Sequence, residues 1–310
     1  MALPVYFVGH GGPNVMYETD HPAYSKLGEI GREITTKVKP NAIVVVSAHW
    51  QAGGSMGLGG SGQGARVQVN VGDGKEGLIY DFYGFPKHYY EEKFPYVGST
   101  EVAGEVMTKL QKAGFSVEPT KRGLDHGVWA SFKCRKFTIR SPRENVTKHE
   151  PEFTILVFDL ERNPIKVPIV QVSLPSTTTD PTTHYAMGKA LASLRAPPYN
   201  YLIVGSGMAV HNLRDYMYAL SDEPMPYTKS FDKALKNACE IDPAQREEAM
   251  GKLLDRPDTR KAHPILDHLW PIYFAAGAAD GEKGKRIWTF QEGSMSWAQY
   301  RFGNLNSSTL

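Results

Sequence analysis

Two runs near the start of the chain are apolar at almost every position and often β-branched: Pro4-Val5-Tyr6-Phe7-Val8 and Ala42-Ile43-Val44-Val45-Val46. A strand covered on both faces reads this way, because neither side of its pleat meets water. The same texture returns at 167–174 and at 201–204. Val67, Val69 and Val71 instead alternate with polar residues, the period-two pattern of a half-covered strand. Helical periodicity predicts a helix over 21–38, with Leu27, Ile30, Ile34 and Val38 on one face. Further helices are predicted over 100–113, ended by Gly114, and from 128 to 134. Others follow at 183–195, 229–241, 243–255 and 265–279, and 287–290 and 295–302 read as closing strands. This alternation predicts a single three-layer α/β domain over residues 1–310. Its central sheet is largely parallel or mixed, with helices on both faces and an active site at the C-terminal strand ends. A polar stretch around 140–168 reads as an insertion into that domain.

Composition narrows the classes. The 310 residues carry 35 basic and 33 acidic side chains, a net charge of +2, which offers no electrostatic footprint for nucleic acid or a membrane surface. No stretch approaches the length of a membrane span. Cys134 and Cys239 form no CxxC pair, so a reduced cytoplasmic protein is expected. Gly57-Leu58-Gly59-Gly60-Ser61-Gly62 spells a dinucleotide fingerprint, but strand-like alternation follows where a helix would have to open, so it reads as a loop.

The candidate chemistry lies in the histidines, ten in all. His10 and His49 each close one of the two apolar runs, at the rim where open α/β sheets bind ligands. Imidazole is the commonest side-chain metal ligand, so two at one rim suggest half of a metal site. His211 follows the strand at 201–204 through Gly205-Ser206-Gly207, and reaches the same rim if that strand runs parallel to the other two. His126 sits in a turn beside Asp125. His263 and His268 are five apart and do not share a helix face, so at most one of them binds a metal. His21, His88 and His149 read as surface residues, and His184, at a helix start, as packing or as support behind the site. Asp81 and Asp125 are possible carboxylate partners, although a lone Asp in a loop is more often a turn residue.

Gly9-His10-Gly11-Gly12-Pro13, Ser47-Ala48-His49-Trp50, Asp81-Phe82-Tyr83-Gly84-Phe85-Pro86, Gly123-Leu124-Asp125-His126-Gly127, His211-Asn212-Leu213 and Asp267-His268-Leu269-Trp270-Pro271 also occur in a familiar order. In these motifs the chain resembles the class III extradiol ring-cleavage dioxygenases, in the 4,5-DOPA extradiol dioxygenase branch related to the LigB catalytic subunit. The resemblance implies that His10, His49 and His268 hold a divalent metal. It implies that His211 is the acid/base and that His126 lines the pocket. Asp125, Asn212 and Tyr80 are expected to orient or contact the substrate. The substrates implied are a catechol, DOPA-like, and O2, and the expected cofactor is Fe(II). Better-known LigB enzymes use a glutamate as third ligand; here His268 takes that place, and three imidazoles also suit Zn(II). Tyr80 stands where the family often has histidine. Two other readings stay open: a catalytically silent zinc-binding recognition protein, as in the related Memo-like proteins, and a zinc hydrolase.

Overall fold

The structure is a computed structural model that describes residues 1–53, 64–134, 167–176, 179–218 and 221–305. The first half of the chain runs β1 (Val5–Gly9), α1 (Pro22–Glu33), β2 (Ala42–Gln51), β3 (Arg66–Asn70), α2 (Thr100–Lys112), β4 (Ser116–Thr120) and α3 (His126–Phe132). Then come β5 (Ile169–Leu174), α4 (Pro181–Leu191), β6 (Tyr201–Gly207), β7 (Val210–His211) and α5 (Leu213–Met217). The rest is α6 (Pro226–Glu240), α7 (Pro243–Gly251), α8 (Thr259–Ala262), α9 (Trp270–Ala278), β8 (Gly284–Trp288), β9 (Gln291–Glu292), β10 (Met295–Ser296) and β11 (Gln299–Phe302).

Eight strands form one mixed sheet in the order β4-β3-β5-β2-β6-β1-β11-β8. Its centre is parallel: β5 with β2, β2 with β6, and β6 with β1. Antiparallel β11 and β8 close one side. The continuous apolar runs are explained by what covers them. Val5 and Phe7 of β1, with Ala42, Val44 and Val46 of β2, pack into a core with α2, α4, α6 and α9. Tyr6, Val8, Ile43 and Val45 point the other way, into a second core built with α1 and α3. This is the three-layer α/β architecture expected from the sequence.

Because β1, β2 and β6 are parallel, their C-terminal ends share one rim, and the condition attached to His211 is met. His211 itself lies on a second, three-stranded sheet, β7-β10-β9, which two-residue strands cannot announce by periodicity. Strand β4 was likewise not anticipated, since Pro119 interrupts its pattern. One expected helix starts later than its periodicity suggests. α9 begins at Trp270, and residues 263–269 form a turn that carries His268, with Pro271 pre-set for the first helical turn. β2 extends through His49 to Gln51, with a register shift against β5 after Val46. The GxGxxG run, His149 and residues 140–166 of the polar stretch lie outside the described residues. Among the described residues no helix is long and apolar enough to cross a membrane.

Candidate metal centre

Close backbone approach brings distant segments to the rim. Gly207 ends β6 because a Cβ there would stand 2.3 Å from the carbonyl oxygen of His268. The turn before α9 therefore lies directly on the strand, fixed by Met208 N–H donating to that same oxygen at 2.9 Å. Gly127 serves α3 similarly: a Cβ would meet Ser47 Oγ at 2.5 Å and His49 Cδ2 at 2.9 Å.

The hydrogen bonds define the tautomers. Ser206 Oγ–H donates to the Gly127 carbonyl, so toward His10 it can only accept, from Nδ1–H at 2.9 Å. His10 Nε2 therefore carries its lone pair. His49 Nδ1 lies 3.0 Å from Asp81 Oδ2, so the neutral ring carries its lone pair on Nε2 too. His126 Nδ1 donates to Asp81 Oδ1 at 2.9 Å, and His268 Nδ1 to Asp267 Oδ1 at 2.9 Å. Anchoring one ring nitrogen on a carboxylate or hydroxyl is how proteins present the other to a metal.

His10 Nε2 and His49 Nε2 face each other at 3.1 Å. At that distance a single proton or a single cation lies between the two nitrogens. Two nitrogens bound to one ion at about 2.0–2.1 Å stand roughly 3–3.4 Å apart, so the spacing suits a shared cation. His126 completes a trio whose ligand atoms lie within 4.8 Å of one another, and His211, Asp267 and His268 form an adjoining trio by the same measure. The His268 ring centroid is 5.3 Å from that of His10 and 4.8 Å from that of His49. His211 stacks on His268 at 3.6 Å with the rings 13° from parallel. The donor set thus fits a divalent metal.

Over residues 4–303 the chain matches the family model for the catalytic LigB subunit of aromatic ring-opening dioxygenase. The chain belongs to the LigB family. A "4,5-DOPA dioxygenase extradiol" of Beta vulgaris is 32% identical over 301 residues, covering 96% of this chain and 95% of the relative. A "4,5-DOPA dioxygenase extradiol-like protein" of Schizosaccharomyces pombe is 30% identical over 303 residues, 92% of this chain and 88% of that one. A crystal structure of an uncharacterized protein from Escherichia coli K12 shares the fold, with a TM-score of 0.68 at 23% identity over 97% of this chain and 100% of the other.

Electrostatics set the charge state of this LigB-family site. Burial and the neighbouring imidazoles push His10 well below the usual histidine range. Burial, then the proximity of His268, does the same to His211. Burial also opposes charge on His49, yet its hydrogen bond with Asp81 and the surrounding carboxylates carry it above the ordinary value. Asp81 would be raised by burial; the hydrogen bonds with His126 and His49 reverse this and hold it ionised. Asp81 therefore orients two imidazoles at once. The sequence offered Asp81 as a possible carboxylate partner, but its position in a loop gave no signal of which rings it meets.

Three residues expected at the substrate have other partners here. Asp125 is fully buried and accepts from Ser47 Oγ at 2.7 Å, from Arg122 at 3.1 Å and from Gln171 Nε2. Asn212 caps α5 by accepting from Arg214 N and Asp215 N. Tyr80 Oη donates to the Glu92 carbonyl at 2.7 Å, among the rings of Phe82, Tyr90 and Trp129. All three brace walls that carry site residues. His263 is buried and bonds Ala209 O, His184 stacks on Trp270, and His88 is exposed. His21, expected at the surface, is mostly covered: it caps α1 and stands over Trp297.

Proposed function

We propose that this LigB-family protein is an extradiol dioxygenase that opens the ring of a catecholic, DOPA-like aromatic with O2. The observation that carries the reading is the convergence of the His10 and His49 Nε2 atoms at 3.1 Å, with His126 and His268 beside them. His10, His49 and His268 are the ligands in this reading, with iron(II) as the metal of the active enzyme. A divalent metal with only three protein ligands would gather both catechol oxygens and O2 and acidify the catechol hydroxyls.

The chain's own groups handle protons and position. His211 is neutral at physiological pH, because burial disfavours its charged form. It takes a phenolic proton, then returns a proton to oxygen as the ring opens. The His268 ring beneath it holds it parallel. His126, locked by Asp81, offers Nε2 to a hydroxyl of the substrate. Both atoms of O2 end in the ring-opened semialdehyde, so no external reductant is required.

Iron(II)-loaded protein is expected to consume oxygen with a catechol and form a yellow product. His211→Ala should keep its metal and lose about a hundredfold or more in turnover. Loss of the metal in that variant would make His211 a ligand and overturn its role. The all-imidazole donors also suit zinc, which favours a hydrolase as second reading; metal-dependent hydrolysis without oxygen uptake would establish it.

A further inference from the structure

The inference rests on the dioxygenase reading, in which His211 moves the proton. A cavity of about 300 Å³ opens beside the His211 and His268 rings. His211 is held unlike the other histidines of the site. Ser206 anchors His10 through Nδ1, Asp81 stands against Nδ1 of both His49 and His126, and Asp267 accepts from His268. Among the described residues the His211 ring has no hydrogen-bond partner, and it stacks on His268. Both its nitrogens are left free, so its placement falls to its backbone. That backbone belongs to β7, two residues long, with His211 opposite Met295 and Val210 opposite Ser296 of β10. β10 pairs in turn with β9, and each of these is also two residues long. Strands this short do not hold a sheet in place by themselves.

One carboxylate fastens the small sheet. Asp232, on α6, is 2% exposed. Its Oδ1 accepts from Ser296 Oγ–H of β10 at 2.8 Å. Its Oδ2 accepts from Gln291 Nε2 of β9 at 2.7 Å and from Nη1 of Arg286. Arg286 lies on β8, at the edge of the eight-stranded sheet. Hydrogen bonds to an ionised group are roughly twice as strong as neutral ones, so this buried carboxylate ties β9 and β10 firmly to α6 and to the main sheet. We propose that Asp232 is a positioning residue for proton transfer, holding His211 against the substrate through β10. It touches neither substrate nor metal. Misplacing a reacting group by about 1 Å can cost on the order of a hundredfold in rate. His10, His49 and His268 lie outside the small sheet, so their grip on the metal does not depend on it.

Two variants test this. Asp232→Asn keeps the size of the side chain but turns an amide donor toward the donors of Gln291 and Arg286. Ser296→Ala removes only the bond to β10, and decides the matter if the first variant does not fold. In iron(II)-loaded protein with 4-ethylcatechol, Asp232→Asn should lower kcat by about tenfold to a hundredfold, and Ser296→Ala by less, with KM and metal content unchanged. In a His211→Ala background neither substitution should cost anything further, because an effect carried by His211 cannot appear twice. A merely structural role would lower both backgrounds by the same factor. Hydrogen–deuterium exchange on the same metal-loaded proteins should quicken at 208–212 and stay unchanged at 5–10 and 43–49. An unchanged kcat, equal losses in both backgrounds, loss of the metal, or unaltered exchange at 208–212 overturns the proposal. If wild type consumes no oxygen, the dioxygenase reading falls, and faster exchange confined to 208–212 leaves the anchoring of His211 by Asp232 standing.

Discussion

The site has two halves built in different ways. His10 directly follows β1 and His49 stands on β2, strands that lie inside the central sheet, and their rings are pinned by Ser206 and Asp81. His211 and His268 stand on a two-residue strand and a turn, stacked on each other and open to the cavity. A metal must be held at fixed distances, which a buried sheet provides. A substrate must enter and leave, which suits groups at the surface end of short elements. On the proposed function, the strand half chiefly binds the cation and the turn half transfers the proton.

The largest expected effect breaks that assignment if it is wrong. His49→Ala removes one of the two facing Nε2 atoms and leaves His10 alone at the sheet end. Metal affinity should fall by more than about a hundredfold, beyond what loss of an orienting partner costs, and oxygen uptake should vanish. His268→Ala should cost less metal, because His126 stays within reach of the trio's centre. Elemental analysis after matched dialysis reads both. A His268 variant emptier than the His49 variant would reverse the comparison.

The carboxylates behind the rings give a smaller, sharper contrast. Asp81 accepts from His126 Nδ1 through Oδ1 and faces His49 Nδ1 at 3.0 Å through Oδ2. In Asp81→Asn only one oxygen remains, so one ring must turn its proton onto Nε2 and stop being a donor to metal. Affinity should drop by about tenfold to a hundredfold. Asp267 accepts both its bonds through Oδ1 alone. Asp267→Asn keeps that oxygen, and its cost should be only a few-fold on the same scale. Equal losses in a metal competition assay would show that charge, not tautomer, is what Asp81 contributes.

The same division explains what could be read from the sequence. His10 and His49 were legible because a doubly covered strand leaves a continuous apolar run, and the residue ending it must lie at the rim. His211 needed one added assumption, that β6 runs parallel, which the sheet satisfies. His268 was not legible from periodicity. The apolar run after Ile265 looks helical throughout, whereas Pro264 and Pro271 bracket a turn pressed onto Gly207. Only the family resemblance singled it out. Asp81 was undervalued because its partners, His49 and His126, are distant in sequence. The substrate roles expected of Asp125 and Asn212 followed their neighbours in the motif, while their side chains are spent on buried contacts.

The smallest effect concerns how firmly the turn half is attached. His263 starts the turn, and its Nε2–H donates to Ala209 O at 2.9 Å, tying residues 263–269 to the link between β6 and β7. The ring is fully buried, and burial lowers its pKa to about 4. In the unfolded chain it titrates near 6.5. Between those values the unfolded state binds the proton and the folded state does not, so stability rises with pH across this window. Above about pH 6.5 the contribution is whole, and it is lost as pH falls toward 4. At pH 5 about 2 kcal/mol should be missing relative to pH 7.5. Other buried imidazoles add to the total, so the variant His263→Asn, which keeps an N–H for Ala209, isolates the one group. Urea unfolding of metal-free protein at both pH values should show the wild type losing about 2 kcal/mol more than the variant. Parallel losses would mean that His263 takes up its proton as readily in the folded protein as in the unfolded chain, and that acid does not loosen the turn half ahead of the sheet.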